Sequence, residues 1–186
     1  MGAPTSRSLA RASRPAVAPG LACRPVASAA ELAAHFRIRH QVFVTEQGMF
    51  RSGSGLPGDD RDDHDSDPAT IHVLGLVDGV AGGSVRLYPL GSPGRWKGDR
   101  LAVLPEHRRV GLGAPLVRFA VAEAGARGGQ EMEAYIQPAN VAFFQWLGWR
   151  RVGGIVDYAG IGHQRMIIPL PGQPGRLSRG QGPAPE

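Results

Sequence analysis

The sequence LAVLPEHRRVGLGAPLVRFAVAEAGAR, residues 101–127, decides the fold. Its first four residues are apolar, as in a buried strand, and Pro105 ends that run. After a turn, residues 108–113 open a helix that tolerates Pro115 in its first turn and stops before the glycines at 128 and 129. The stretch therefore predicts a strand, a turn and a helix with one apolar stripe of Leu112, Leu116, Val117, Ala120, Val121 and Ala124.

The turn before this helix has the composition of an anion site. Gly111 and Gly113 let the backbone come close to a ligand, and N–H groups at a helix N-terminus attract negative charge. Arg108 and Arg109 add positive charge beside them. A Rossmann loop would require G-x-G-x-x-G, which is absent here. We therefore expect the backbone amides of residues 108–114 to hold a diphosphate; a packed turn without a ligand is the plainer alternative.

The overall charge does not indicate a nucleic-acid partner. The chain has 186 residues, 42% of them apolar, and a formal net charge of +5. Five arginines lie in ends rich in Pro, Gly and Ala, and outside these ends 16 basic and 15 acidic residues remain. No basic stripe with interleaved aromatic residues runs through the rest of the sequence. We expect one domain over residues 21–170, with disordered tails at 1–20 and 171–186.

The cysteine count and the apolar runs bear on the compartment. Cys23 is the only cysteine, which excludes an intrachain disulfide, and it fits a small hydrophobic residue in a first strand. No apolar run reaches the length of a transmembrane helix, and the first residues lack the apolar core of a signal peptide. We therefore expect a cytoplasmic protein without a membrane partner.

Residues 21–47 predict a strand followed by a helix. The strand covers residues 21–26, and Ser28 and Glu31 form a capping box that starts the helix near Ala29. The helical pattern persists to residue 47. It predicts that Leu32, Phe36 and Phe43 face inward and that Arg37 and Arg39 lie on the surface.

Residues 48–67 form a long acidic loop without a core pattern. A calcium loop starting at Asp63 fails, because Pro68 stands where an EF-hand requires glycine and Leu74 where it requires glutamate. Loops of this length are usually functional or mobile. Two interpretations stay open: a solvated acidic surface, which the composition favours, or a rim that attracts an amine to a substrate cleft.

The pattern after the acidic loop predicts a hairpin. Its strands cover residues 71–77 and 80–90, and Asp78-Gly79 between them is a hairpin turn signal. Gly82-Gly83 in the second strand indicates a bulge or a close backbone approach.

The rest of the chain completes a mixed sheet. The predicted order is strand, helix, three strands, helix, strand, helix and two strands. This order indicates an α/β fold, with a sheet of mixed direction and helices on both faces. On the strand at 131–137, Met132, Ala134 and Ile136 share one face, opposite Glu131, Glu133, Tyr135 and Gln137. The other elements are strands at 97–104, 150–156 and 162–170 and a short helix at 139–147.

Two segments resemble the GNAT acyltransferases. Arg108, Gly111, Gly113 and Ala114 follow a strand and Pro105 in a string similar to R/Q-x-x-G-x-G/A, the coenzyme A pyrophosphate loop of that superfamily. Residues 137–149, QPANVAFFQWLGW, are similar to its N-x-x-A-x-x-F-Y-x-x-x-G-F segment, with Gln137 at the asparagine position. The element order agrees over residues 21–170, so the resemblance implies the GNAT fold: a mixed central sheet with helices on both faces.

A narrower resemblance rests on residues 39–47, RHQVFVTEQ, together with the acidic loop and the strand around Arg86. This set looks like that of the nitrogen-starvation N-acetyltransferases associated with nitrilase gene clusters. It is also similar, more distantly, to acyl-homoserine-lactone synthases. Neither likeness identifies the acceptor.

The resemblance implies acetyl-CoA as co-substrate, no metal, and transfer of an acetyl (acyl) group to a primary amine of a small molecule by direct attack in a ternary complex. The backbone of residues 101–103, in a sheet splayed open beside the next strand, would hold the pantetheine arm and polarise the thioester. The implied cofactor-binding residues are Leu101, Ala102, Val103, Arg108, Arg109, Val110, Gly111, Leu112, Gly113, Ala114, Gln137, Asn140 and Phe144.

Catalysis also requires a proton acceptor, because an alkylammonium must lose a proton before it attacks. Glu133 is the first candidate, since it shares a strand face with Tyr135 and Gln137. Asp99 and Glu46 are further candidates, and Glu46, Arg86 and Asp99 are the expected substrate-binding residues. A surface charge or a local salt bridge is the plainer interpretation of each.

The family's usual tyrosine, which is thought to protonate the leaving thiolate, falls on Phe144. Phenylalanine has no proton to donate, so Tyr135 is a spare acid, a water could act, or the thiolate leaves unassisted. Phe144 also motivates a rival function, a non-catalytic acyl-CoA sensor. The sequence leaves the oligomeric state open, with a homodimer as one option.

Overall fold

Seven strands form one mixed sheet in the computed structural model, which describes residues 20–50, 58–158 and 160–172. The strand order is β1-β2-β3-β4-β5-β7-β6, and the pair β4–β5 is parallel whereas the others are antiparallel. The strands are β1 Leu21–Pro25, β2 Ile71–Val77, β3 Val80–Pro89, β4 Arg95–Val103, β5 Glu131–Ile136, β6 Arg150–Tyr158 and β7 Ile161–Pro169.

Helices cover both faces of this sheet. Ser28 caps the first helix by accepting a hydrogen bond from the Glu31 N–H at 3.2 Å, and the helix continues as a π-helical segment, His40–Glu46. The element order and the α/β class are confirmed. The helices are α1 Ala29–Arg39, α2 Pro105–Arg108, α3 Gly113–Ala126 and α4 Val141–Trp146, with short 3-10 turns at Asp63–Asp65 and Pro138–Asn140.

Two hydrophobic clusters show which face each helix covers. Val73 and Leu74 are neighbours on β2, yet Val73 joins a larger cluster with α3 and α4 whereas Leu74 joins a smaller one with α1. Successive strand residues point to opposite faces, so α1 lies on one face and α3 and α4 on the other. The predicted stripe of α3 is confirmed at Leu112, Leu116, Val117, Ala120 and Ala124, which are buried, whereas Val121 is half-buried.

Two bulges bend the central strands. Gly75 pairs with Gly83 and Leu76 with Ala81, so Gly82 is the extra residue that the sequence predicts in β3. A Cβ atom at Gly82 would lie 2.4 Å from the His107 ring, which explains the glycine. The second bulge is in β4, where Arg100 has a φ of 52°; nothing in the local sequence predicts it.

Strands β4 and β5 pair over three residues only. Arg95, Trp96 and Lys97 are in register with residues 131–133, and within the described part of the chain the two strands make no further pairs after Glu133. The strands therefore separate towards their C-terminal ends, as the resemblance implies. The separation comes directly before the glycine-containing turn that follows β4.

Arg39 corrects the predicted surface of α1. Its side chain is 0% exposed. Its guanidinium donates to Asp60 at 2.6 Å and to Asp65 at 2.5 Å. The interpretation of the acidic loop as a solvated surface is therefore wrong for these two aspartates, because they are the partners of a buried cation.

One further feature differs from the sequence-based expectation, because the turn after Pro105 contains the single helical turn α2. The predicted disordered tails lie almost entirely outside the described residues and stay a prediction. No helix in the described part of the chain is long and apolar enough to span a membrane.

Replacing Arg39 with methionine should destabilise the fold by about 3–5 kcal/mol, because it removes the closest cation from the buried Asp60 and Asp65 and leaves their charge incompletely compensated. Urea denaturation of the two proteins measures this difference. Arg24→Met is the matched control, since the Arg24 and Glu31 side chains are 43% and 27% exposed and pairs in contact with solvent contribute little. Equal losses for the two variants would contradict the role assigned to Arg39.

Candidate active site

A cavity of about 520 Å³ lies where β4 and β5 separate. One part of its wall comes from α3, α4 and the buried face of β5, including Val117, Ala120 and Phe144. The other part is polar and comes from the α1 face, including Lys97 and Tyr135. The cavity thus reaches both faces of the sheet through the opening between the two strands.

The polar part carries several ionisable groups. Asp62, Asp63 and His64 of the acidic loop line it, as does Asp99 of β4. The His64 ring stacks on Tyr88, with ring centres 4.0 Å apart. The acidic loop therefore forms a wall of the cavity, the position that the second of its two interpretations requires. Its attraction for an amine stays a prediction.

Arg86 ties that wall to the sheet. Its side chain is fully buried, and its guanidinium binds Asp62 at 2.6 Å and Asp99 at 2.7 Å, each through two hydrogen bonds. Arg100 adds a hydrogen bond to Asp62 at 3.0 Å. Arg86 therefore lies behind the cavity wall and positions the carboxylates that line it. Its predicted contact with substrate stays a prediction.

Charge pairing lowers the pKa of two carboxyl groups in the acidic loop, Asp62 and Asp65. Burial works to raise the pKa of Asp65, but hydrogen bonds from Arg39 and the charge of Arg86 outweigh it and hold the pKa well below the usual range. The pKa of Asp62 is lowered in the same way, since the Arg86 hydrogen bonds outweigh its burial. The described residues contain no group of three or more His, Cys, Asp or Glu that could hold a metal ion.

Glu133 is bound by cations on both sides. Its carboxylate accepts from Lys97 at 3.1 Å and from Arg165 at 2.7 Å. Burial works to raise its pKa, but the Arg165 hydrogen bonds and the Lys97 charge outweigh this, so the pKa lies below its ordinary value. Among the described residues, those that line the cavity include Lys97 and Tyr135 but not Glu133. The role of Glu133 as a proton acceptor stays a prediction.

The turn between β4 and α3 has room for a ligand. Gly111 has a φ of 80°, and a Cβ atom there would meet nothing within 4 Å among the described residues. The N-cap residue Leu112 makes no side-chain capping hydrogen bond, and the first N–H groups of a helix have no intrahelical acceptor. These groups fit the diphosphate of coenzyme A, which such a helix end would hold through backbone N–H groups.

Arg108 and Glu46 form an exposed ion pair between α2 and the π-helical segment, and neither side chain is among the described residues that line the cavity. The guanidinium binds the Glu46 carboxylate through two hydrogen bonds, the shorter 2.6 Å, and also donates to the Val103 carbonyl at 3.0 Å. The Arg108 hydrogen bonds hold the pKa of Glu46 below its ordinary value. The pair joins a predicted cofactor residue to a predicted substrate residue.

The segment after β5 lies on the cavity, and its binding of the cofactor stays a prediction. Gln137, Asn140 and Phe144 line it. The Gln137 amide donates to the Gln47 side chain at 2.9 Å, which links β5 to the end of the π-helical segment. Phe144 is 5% exposed and packs edge-on against Trp149.

The sequence analysis missed several cavity residues. His64, Lys97 and Tyr158 line it, and the Tyr158 hydroxyl accepts a hydrogen bond from Arg100 at 2.9 Å. Lys97 could have been found, because its alternation with Asp99 on one strand places both on one face. His64 and Tyr158 lie far from β4 in sequence and carry no local signal.

The sequence and the fold of this chain are similar to those of known proteins. A family model described as the acetyltransferase (GNAT) family matches residues 37–149, more than half of the chain. The chain belongs to the GNAT family. This membership identifies it as an acyltransferase.

Solved structures share the GNAT fold with this chain. Escherichia coli ElaA is 20% identical with a TM-score of 0.67, and the match covers 80% of this chain and 98% of that one. An acyl-CoA N-acyltransferase from Pseudomonas aeruginosa is 24% identical, with a TM-score of 0.59 and the same two coverages. The CoA-dependent acyl-homoserine lactone synthase BjaI is 20% identical with a TM-score of 0.63, covering 77% of this chain and 78% of that one. No curated protein sequence matches the chain significantly.

Gly113→Glu should weaken coenzyme A binding at least about tenfold, because it places a carboxylate beside the diphosphate. Isothermal titration with coenzyme A measures the effect. Gly113→Ala is the matched control, since a Cβ atom there meets its nearest atom, Phe143 Cζ, at an ordinary 3.6 Å. If the glutamate variant binds as tightly as the parent, the turn is not the diphosphate site.

Proposed function

We propose that the protein transfers an acyl group from acyl-CoA, with acetyl-CoA as the donor expected from sequence, to the primary amine of a small molecule. The observation that carries this proposal is the opening between β4 and β5, directly before the glycine-containing turn. Direct attack in a ternary complex is supported by a cavity that reaches both faces of the sheet, because donor and acceptor can then enter from opposite sides.

The donor would lie along the opening. Ala102 and Val103 pair with β3 on one side, and no residue of β5 pairs with them on the other. The donor's pantetheine amides would bind along that unpaired edge, where the Val103 carbonyl also accepts a hydrogen bond from Arg108. Arg109, Val110 and Ala114 stay proposed as cofactor residues with the rest of residues 108–114. The diphosphate and the thioester of the bound donor would thereby be held at opposite ends of the opening between β4 and β5.

Two side chains compete as the proton acceptor. Glu133 is the candidate from sequence, and its carboxylate is already bound to Lys97 and Arg165. His64 lines the cavity, and no described residue hydrogen-bonds to its ring nitrogens. Because histidine is the commonest general base in enzymes, we expect His64 to accept the proton and Glu133 to position Lys97. Asp99 is occupied by Arg86.

Two more specific proposals concern the chemical class of the acceptor amine and the subgroup of the GNAT family. The acceptor wall combines Asp63 and Asp99 with Lys97, so it suits a small amine that also carries a negative group. BjaI, which shares the fold, is a CoA-dependent acyl-homoserine lactone synthase. From the sequence, we propose that the chain belongs to the nitrogen-starvation N-acetyltransferase group. We also propose that its acceptor is a small molecule and that the protein is cytoplasmic.

Steady release of free thiol from acyl-CoA in the presence of a pool of small primary amines should identify the activity. Ellman's reagent follows the thiol, and mass spectrometry follows the acylated amine. The Gly113→Glu variant is the blank, because it should lose the donor. Tight donor binding without turnover by any amine would instead support the rival acyl-CoA sensor.

His64→Gln should lower kcat by about 10²–10⁴, the usual contribution of a positioned general base. Glu133→Gln should lower it less, since that carboxylate acts through Lys97. Rates are measured with saturating donor and amine over a pH range. His40→Gln is the control, because His40 is an exposed histidine of the same chain. If Glu133→Gln lowers kcat more than His64→Gln does, Glu133 is the general base instead.

A further inference from the structure

The α3 side of the cavity lies inside the hydrophobic core. The residues that form it belong to the larger core cluster and are each at most 5% exposed. This part of the cavity, the apolar chamber, is lined by Val117, Ala120, Met132, Ala134, Phe144 and Trp149.

An acetyl group does not require such a chamber. Protein interiors are close-packed, with few voids larger than a water molecule. Ala120 of α3 and Ala134 of β5 each contribute only a methyl group to the wall of the chamber. By contrast, the larger side chain of Leu116, one turn before Ala120, is fully buried in the core. Small residues on two separate elements keep the space open.

Trp149 gives a second indication that a ligand enters. It is 4% exposed and lines the chamber, and its indole Nε1 has no hydrogen-bond partner among the described residues. Buried N–H groups nearly always have an acceptor, because an unmade hydrogen bond costs about 1–3 kcal/mol. In the acyl group of a bound thioester, only the carbonyl oxygen could accept this bond.

We propose that the apolar chamber holds the acyl chain of the donor, so that the preferred co-substrate is a medium-chain aliphatic acyl-CoA rather than acetyl-CoA. This inference rests on the proposed function, since the chain enters as a thioester of coenzyme A. With the thioester at the opening between β4 and β5, the chain extends towards α3. The polar groups of the α1 face remain free for the acceptor.

The test uses two thioethers, S-ethyl-CoA and S-hexyl-CoA, which bind as donor analogues but cannot transfer their alkyl group. Titration calorimetry on the full chain gives both affinities. Each buried methylene should tighten binding about fourfold, so S-hexyl-CoA should bind at least about tenfold more tightly. This readout does not depend on knowing the amine.

Ala120→Leu should abolish the preference by filling the chamber, while S-ethyl-CoA keeps the parent's affinity. Ala122→Leu is the matched control, because Ala122 is exposed on the same helix and should leave both affinities unchanged. Ala134→Val repeats the test from β5 should the leucine variant fail to fold.

Equal affinities of the parent for the two thioethers would overturn the proposed chain site while leaving the acyltransferase function intact. If neither thioether binds, the coenzyme A site itself is wrong and the proposed function fails with it. A chain preference that survives both Ala120→Leu and Ala134→Val would place the chain elsewhere.

Discussion

Backbone hydrogen bonds between β4 and β5 end at Lys97 and Glu133, and the rest of the structure depends on that interruption. Two parallel strands in the middle of a sheet would normally continue their ladder, because buried N–H and C=O groups need partners. Here the ladder stops, and residues 98–101 of the unpaired edge line a cavity instead of pairing with a strand. A ligand that carries amides of its own, as pantetheine does, can complete that edge.

Buried arginines hold the acceptor side of the opening. Arg39 comes from α1, Arg86 from β3 and Arg100 from the bulge of β4, and all three bind carboxylates of the acidic loop or of β4. Taking these charges out of water costs free energy that only close pairing recovers. The loop is therefore fixed to the sheet by charge rather than by apolar packing, so its wall of the cavity is formed before a substrate arrives.

Local patterns sufficed for most of the fold. The strand, glycine turn and helix of residues 101–127 were predictable because caps, stripes and turns are properties of neighbouring residues. The burial of Arg39 was not predictable, since its partners lie 21 and 26 residues away in a loop without periodicity. The bulge at Arg100 was not predictable either, because a positive φ at an arginine has no sequence signature. Predicting the cavity would have required the positions of Arg39 and Arg100, together with the register that places Lys97 beside Glu133.

The phenylalanine at position 144 follows from the same geometry. Its ring packs edge-on against Trp149, and both line the apolar side of the cavity. A hydroxyl there would be a second polar group, beside the Trp149 Nε1, on a wall that is otherwise apolar, and it would need a partner of its own. If that wall holds an acyl chain, an apolar residue suits it better than a proton donor. The leaving thiolate, whose thiol has a pKa near 8.5, can then depart unassisted or take a proton from Tyr135 on the opposite face of β5.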